Sequence, residues 1–288
     1  MKSTTALGEN IMVKAPYNIL FDIYEDVNGS VFAKVKNEFS LPGECGPINA
    51  SEAGRHLAIL GSIALSNKTD SQNYYLAVEA KMKRETLSVS HEEILDLEAK
   101  VIFQDKRTGE VSGKIFDNNS NVLFSIIVKY QILSVPLFSK FFKSYLNTTK
   151  IESAFSPYIS RKKLTEITIT KNEISATYGA VLVSDCEGHF EDYPALPVAI
   201  ICNLFGELGL NLFFHHFSKK FTQAIVTLAS INAKRLVFSG EHLTFQGAKV
   251  YSKSDREMVI SSKALVGDEV VADAEFELYG IKNIEHKS

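Results

Sequence analysis

The stretch "GHFEDYPALPVAIICN" (188–203) decides the fold, because an earlier stretch of the chain matches it at a fixed offset. "NEFSLPGECGPINASE" (37–52) aligns with it without a gap at an offset of 151 residues, which places Glu38 opposite His189. Few residues are identical, so the case rests on spacing and on the elements that follow. Together these predict two copies of one structural unit.

A long apolar segment follows each of the two stretches and is succeeded by strand-like segments. The apolar segments, 51–67 and 197–217, are typical of helices buried against a sheet. Later segments such as "ADAEFELYG" (272–280) alternate apolar and polar residues, which favours an antiparallel sheet with one solvated face. We therefore predict an α+β fold of two antiparallel sheets, each wrapped around a long central helix and related by a pseudo-twofold axis.

The boundaries follow from the repeat: an N-terminal unit 1–134, a connector 135–163 and a C-terminal unit 164–288. The connector, "VPLFSKFFKSYLNTTKIESAFSPYISRKK", fits neither unit and predicts a short amphipathic helix near 137–146. Its lysines and Arg161 have two interpretations. They either receive an acidic carrier protein, or they are the solvated charges of a linker packed over the sheet.

Composition and charge exclude several classes of function. The chain has 288 residues, of which 45% are hydrophobic and 23% charged, as expected for a globular protein with a substantial core. The formal net charge of −3 supplies no basic face for nucleic acid. Three cysteines without a CxxC pair argue against a disulfide framework or a thiolate zinc site, and they favour a reducing compartment.

Two further features bear on localisation. The segment 196–214 approaches the length of a membrane span, but Asn203, Glu207 and Asn211 inside it would be costly in lipid. We therefore predict a helix buried in protein rather than a membrane span. The N-terminus lacks the apolar segment of a signal peptide, so the cytoplasm is the expected compartment.

His189 is the first candidate for chemistry. An imidazole exchanges protons near neutral pH, and the backbone N–H groups of a following helix can stabilise an oxyanion beside it. These groups suit removal of the proton next to a thioester carbonyl. A single histidine in a loop is more often only exposed or hydrogen-bonded, so His189 needs support from its neighbours in the sequence.

That support is a resemblance. "GHFEDYPALP" (188–197) resembles the "HFPGxPxxPG" motif of the hot-dog-fold β-hydroxyacyl-[acyl carrier protein] dehydratases, in which the histidine is catalytic. His189, Phe190, Pro194 and Pro197 match the motif. Glu191 and Asp192 replace its Pro-Gly pair, and Val198 replaces its last glycine. Gly188, which precedes the motif, and Val198, at its last position, are candidate supporting residues.

The resemblance also implies where the acid lies. The family carries Glu or Asp fourteen residues after the histidine and Gln or His four residues later, but the first of these positions is Asn203 here. In the first half, "EAGRH" (52–56) supplies Glu52 and His56 in that pattern. Family sites take the histidine from one unit and the acid from the other. The resemblance thus implies one composite site with His189 and Glu52 as catalytic residues and His56 as a supporting one.

The reciprocal pair, Glu38 and Asn203, would form an inactive pseudo-site. Arg55 is a further supporting candidate, since it could bind a pantetheine phosphate or a substrate carboxylate, or merely pair with a surface acid. The alternative to the whole assignment is that "SEAGRH" (51–56) is an ordinary helix start with Ser51 as its N-cap. No His, Asp and Glu residues show metal-ligand spacing, so no metal is expected.

Taken together, the resemblance implies a double hot-dog lyase that dehydrates a 3-hydroxyacyl thioester to the trans-2-enoyl form in fatty-acid or polyketide biosynthesis. His189 would remove the α-proton and Glu52 would protonate the departing hydroxyl. The substrate would be carried on the phosphopantetheine of acyl carrier protein or coenzyme A, with no other cofactor. Thioester hydrolysis or acyl transfer in the same pocket, and non-catalytic binding of an acyl group or a partner, remain alternatives, and a homodimer remains open.

Overall fold

A computed structural model describes residues 7–38, 41–69, 71–87, 93–149, 156–159, 162–218 and 220–282. Three α-helices lie in these ranges: α1 (Ala50–Ser66), α2 (Val135–Phe141) and α3 (Val198–His216). The strands in the same ranges are β1 (Phe21–Glu25), β2 (Ser30–Lys36), β3 (Asn73–Arg84), β4 (Ile94–Gln104), β5 (Thr108–Phe116), β6 (Val122–Ser134), β7 (Thr165–Ile169), β8 (Glu173–Ala180), β9 (Gln223–Ala233), β10 (His242–Ser252), β11 (Glu257–Val266) and β12 (Glu269–Ile281).

All twelve strands belong to one sheet, with the order β1-β2-β4-β5-β6-β3-β9-β12-β11-β10-β8-β7. The prediction of two sheets, each wrapped around its own long helix, is therefore wrong. At the centre β3 pairs antiparallel with β9, from Glu79 opposite Asn232 to Lys83 opposite Leu228. Without this pairing, the backbone N–H and C=O groups of β3 and β9 would form two open sheet edges.

The strand order repeats on the two sides of this central pair. From the outside inwards, each half places its first, second, fourth, fifth, sixth and third strand in that order. The helices α1 and α3, predicted at 51–67 and 197–217, begin and end within one residue of those limits. The division of the chain at 134 and 163 stays a prediction, because the two halves share one sheet.

Helices α1 and α3 lie side by side on this sheet and contact each other. Helix α1 starts at the N-cap Asn49, whose side chain accepts a hydrogen bond from the Glu52 N–H at 2.9 Å, so Ser51 is not the cap. Helix α3 is long and apolar enough to cross a membrane, but 67% of its apolar window is buried inside the protein. It is the core helix of the second half.

The connector packs over the sheet through aromatic side chains. The ring of Phe138 in α2 stacks on Tyr74 at 3.6 Å between centroids and meets Phe190 edge-on at 5.5 Å. A single 3-10 turn, Lys143–Tyr145, follows α2. Residues 150–155 and 160–161, with Arg161, lie outside the described residues.

The close packing of α3 on the sheet can be tested at Gly209. A Cβ atom there would lie 2.4 Å from the Phe276 ring, whereas one at Gly54 in α1 would meet no atom within 4 Å. We expect Gly209→Ala to lower the free energy of unfolding by about 1–3 kcal/mol through overpacking. Gly54→Ala should raise it by up to about 1 kcal/mol, because alanine has the higher helix propensity. Equal changes in urea denaturation would contradict this packing.

Candidate active site

His189 is held in a tight loop just before α3. Its backbone N–H donates to the Cys186 carbonyl at 2.9 Å, and its ring stacks on Phe190 at 4.0 Å between centroids. Phe190 has a φ of 60°, a left-handed conformation that is strained for a bulky residue. Such strain persists only where the surrounding structure fixes the backbone, so the position of His189 is strongly determined.

Gly188 allows another segment to reach this loop. The Lys14 N–H donates to the Gly188 carbonyl at 2.8 Å, and a Cβ atom at Gly188 would lie 2.5 Å from the Lys14 oxygen. Gly188 also has a φ of 75°, which favours glycine. The segment around Lys14 continues to Tyr17, whose ring contacts that of His189 edge-on at 5.0 Å. Gly188 therefore allows the N-terminal segment to approach the backbone of the His189 loop closely, and its role in a catalytic site stays a prediction.

The hydrogen bond of the His189 ring defines its tautomer. Nδ1 lies 2.8 Å from the Ala195 carbonyl oxygen, and a carbonyl can only accept, so Nδ1 carries the proton. Nε2 then carries the lone pair. Burial lowers the pKa of His189 to about 4, partly offset by the bond to Ala195, so the ring is neutral at pH 7. A neutral imidazole with a fixed tautomer can accept a proton.

The His189 ring lines a cavity that continues into the space between the two long helices. Tyr75, Ser62 and Val198 line the His189 cavity as well. Tyr17, Ala58 and Val198 are shared with the second cavity, which lies between α1, α3 and the central strands. Most of the lining of this inter-helix cavity is apolar. It suits an apolar chain whose polar end lies near Val198.

The start of α3 supplies hydrogen-bond donors where the cavities meet. The helix follows Pro197, which has no capping side chain. The backbone N–H groups of Val198 and Ala199 have no hydrogen-bond partner within the part of the chain that the structure describes. Free N–H groups at a helix start stabilise negative charge, as an oxyanion requires.

Glu52 lies at the start of α1, against a different and smaller cavity that Arg55 and Asn203 also line. Its Oε1 accepts a hydrogen bond from the Glu38 backbone N–H at 2.8 Å and lies 3.3 Å from the His56 Nε2. Burial and the Arg55 charge lower the pKa of His56 well below its usual value, so His56 is neutral and donates through Nε2–H. The structure thus brings Glu52 and His56 together, but places Glu52 and His189 against separate cavities.

Arg55 pairs with a carboxylate of its own half. Its Nη1 lies 2.9 Å from the Glu38 Oε2, both side chains are largely buried, and its Nε donates to the Tyr17 carbonyl at 3.0 Å. The guanidinium also lies 4.9 Å from the centroid of the Tyr17 ring, the same ring that contacts His189. Arg55 therefore anchors one wall of the His189 cavity from the α1 side.

The residues of the predicted pseudo-site have separate partners. Glu38 forms the ion pair with Arg55, whereas the Asn203 side chain donates to the Ser51 Oγ at 3.0 Å and joins α3 to α1. The assignment of Glu38 and Asn203 as an inactive pseudo-site, and of Glu52 as a catalytic residue, stays a prediction. Each of them makes contacts in the packing around the helix starts, although the Asn203 Oδ1 has no hydrogen-bond partner among the described residues.

Two polar groups in the cavities were not predicted from the sequence. Tyr75 is 8% exposed, lines the His189 cavity, and its hydroxyl has no hydrogen-bond partner among the described residues. Glu44 lines the inter-helix cavity, where burial raises its pKa to about 7 against the opposing effect of Arg84. The glycine-rich turn "GECGP" (43–47) just before α1 could have indicated Glu44 as a site residue. Nothing in the sequence distinguishes Tyr75 from other tyrosines in strands.

Solved structures of known proteins resemble this fold, although no protein-family model and no curated protein sequence matches the chain. A protein from Lactobacillus plantarum assigned as an oleoyl thioesterase has a TM-score of 0.59 at 12% identity, over 96% of this chain and 99% of its own. An acyl-CoA thioesterase II from Mycobacterium marinum has a TM-score of 0.55 at 11% identity, over 93% and 98%.

A third structure carries the name of the fold. It is a conserved protein of unknown function with a hot-dog fold from Alicyclobacillus acidocaldarius, with a TM-score of 0.54 at 8% identity, over 91% of this chain and 96% of its own. At such identities the likeness concerns the fold alone. At that level the resemblance to hot-dog proteins that the motif suggested is confirmed.

The Arg55–Glu38 pair predicts a large effect on stability. We expect Arg55→Met to lower the free energy of unfolding by about 3–5 kcal/mol, because it leaves a largely buried carboxylate and backbone carbonyls without their partner. Lys36→Met is the matched control, since its pair with Glu93 is exposed and contributes little. Urea denaturation compares the two variants, and a similar small loss in both would contradict the proposed anchor.

Proposed function

We propose that this hot-dog protein hydrolyses acyl thioesters, with His189 as the general base. One observation carries the proposal. A neutral imidazole with its lone pair on Nε2 lines a cavity that joins an apolar inter-helix cavity at the start of α3. The structural likeness to thioesterases supports the same class of reaction.

The geometry supports the following steps. The acyl chain lies in the inter-helix cavity, with the thioester carbonyl oxygen at the N–H groups of Val198 and Ala199. His189 Nε2 removes a proton from water as the water oxygen attacks the carbonyl carbon, and the N–H groups stabilise the oxyanion that forms. The carbon–sulfur bond then breaks, and the imidazolium returns its proton to the departing sulfur. The Nδ1–H bond to the Ala195 carbonyl keeps the ring oriented throughout.

Hydrolysis requires fewer catalytic groups at this site than dehydration does. Dehydration needs a second group, an acid that protonates the departing hydroxyl, and the predicted acid Glu52 lines another cavity and accepts the Glu38 N–H. Dehydration by His189 and Glu52 is the second candidate, favoured by the match of His189, Phe190, Pro194 and Pro197 to the dehydratase motif. Binding without turnover is the third.

The substrate we propose is an acyl group on the phosphopantetheine of coenzyme A or of acyl carrier protein. No additional cofactor is needed for this chemistry, because the base, the oxyanion donors and water are sufficient. A cytoplasmic location stays a prediction, and a homodimer remains open.

Substitution of His189 tests the proposal. We expect His189→Asn to lower kcat for acyl-coenzyme A hydrolysis at least ~100-fold, the lower range for loss of a positioned base. His215→Asn, at the exposed end of α3, is the matched control and should retain wild-type turnover. Release of free thiol is the measurement, with circular dichroism to verify folding. Equal activity in the two variants would exclude His189 as the base.

Glu52→Gln separates hydrolysis from dehydration. With a 3-hydroxyacyl thioester as substrate, hydrolysis releases thiol, whereas dehydration produces enoyl absorbance and leaves the thioester intact. We expect thiol release that persists in the Glu52→Gln variant. Enoyl formation by the wild-type protein, with a rate at least ~100-fold lower in the Glu52→Gln variant, would instead favour the dehydratase. Substrate binding without either product would favour a binding protein.

The pKa of His189 sets the expected pH dependence. The base must be unprotonated, and burial lowers its pKa to about 4 from the usual 6.5, so kcat/KM should stay level from pH 7 downwards and fall only as the pH passes through about 4. Thiol release measured across this range, with folding monitored at each pH, gives the profile. An acidic limb near pH 6.5 would show that the base is a solvated imidazole instead.

A further inference from the structure

The outer side of α2 and its following turn exposes apolar side chains beside the candidate site. We call Leu137, Phe141, Tyr145 and Leu146, together with Lys140 and Lys143, the α2 face. Its four apolar side chains are between 39% and 59% exposed. Leu137 and Phe141 are four residues apart in a helix and so lie on one side of it. Clustered exposed apolar groups of this kind mark interaction surfaces.

The charge of the α2 face has one sign. The segment 135–149 contains Lys140 and Lys143 and no acidic residue. Both lysines are exposed, and neither forms an ion pair among the residues that the structure describes. Unpaired lysines around apolar side chains complement an acidic partner that also has an apolar patch.

The α2 face is continuous with the His189 cavity. Phe142, between the two lysines, lines that cavity together with His189. The Asn147 N–H donates to the Asp192 carbonyl at 2.9 Å, and Phe138 packs on Phe190, so this segment is fixed to the His189 loop. A partner bound to the α2 face is therefore placed where a flexible arm can enter the cavity.

We propose that the α2 face docks an acidic carrier protein, which delivers the acyl thioester to His189 on its phosphopantetheine arm. The proposal rests on the proposed thioesterase function and names its substrate carrier. A membrane surface fits less well, because an interfacial helix presents a strongly charged face rich in lysine and arginine, whereas α2 contains only Lys140.

The test compares one acyl chain on three carriers: acyl carrier protein, coenzyme A and N-acetylcysteamine. In the double variant Lys140→Glu/Lys143→Glu we expect KM for the carrier-protein substrate to rise roughly tenfold, through loss of charge complementarity. The kcat, and the KM for the two small carriers, should stay unchanged. Phe141→Ser should act in the same direction. The matched control, Lys68→Glu/Lys106→Glu, changes the net charge equally at exposed positions elsewhere and should leave all three KM values unchanged.

Several outcomes would overturn the proposal. An equal rise in KM for all three carriers would mean that the substitutions disturb the cavity rather than a docking surface. An unchanged carrier-protein KM, with loss of binding to phosphatidylglycerol vesicles, would identify the α2 face as a membrane contact. If the wild-type protein hydrolyses none of the thioesters, the proposed function fails. Fluorescence anisotropy with labelled acyl carrier protein then tests docking alone, and equal affinity of wild type and double variant would refute it.

Discussion

The antiparallel pairing of β3 with β9 is the constraint on which the rest of the structure depends. Backbone hydrogen bonds between residues 79–83 and 228–232 join the halves into one sheet. Because each half places its long helix on the same sheet, this pairing brings α1 and α3 side by side. The inter-helix cavity is a product of that arrangement, since its floor comes from the central strands and its walls from the two helices. Neither half could form it alone.

Within this symmetric frame, the two helix starts have become different. Before α3, a strained Phe190 and a close crossing at Gly188 hold an imidazole whose proton is fixed on Nδ1. Before α1, a carboxylate takes the corresponding position and is neutralised by Arg55. The arrangement before α3 places the Nε2 lone pair of His189 beside a cavity. The arrangement before α1 is an ion pair that holds the loop of Glu38 against the helix. One half thus carries candidate chemistry and the other carries support.

The sequence predicted the elements better than their connections. Apolar segments and the offset of the repeat located α1 and α3, because helix formation depends on the side chains of the segment itself. The union of the sheets was missed, since alternation along a strand identifies its faces but says nothing of what its edge pairs with. His189 was identified by its motif, yet its partner, the Ala195 carbonyl, depends on loop dihedrals that no pattern reveals. Spacing placed Glu52 correctly on α1, but could not show that the Glu38 N–H would occupy its oxygen.

The N-terminal segment crosses the His189 loop, so the candidate site depends on a part of the chain that is distant in sequence. Lys14 and Glu191 form an ion pair although they are 177 positions apart in the sequence, and Tyr17 supplies a wall of the cavity. Contacts between such distant parts of a chain cost loop-closure entropy on folding. A nascent chain can complete neither this crossing nor the β3–β9 pairing until its second half has been synthesised. The segment is also part of the core, since Ile11 and Tyr17 are buried, so its detachment would open the cavity and expose apolar side chains together.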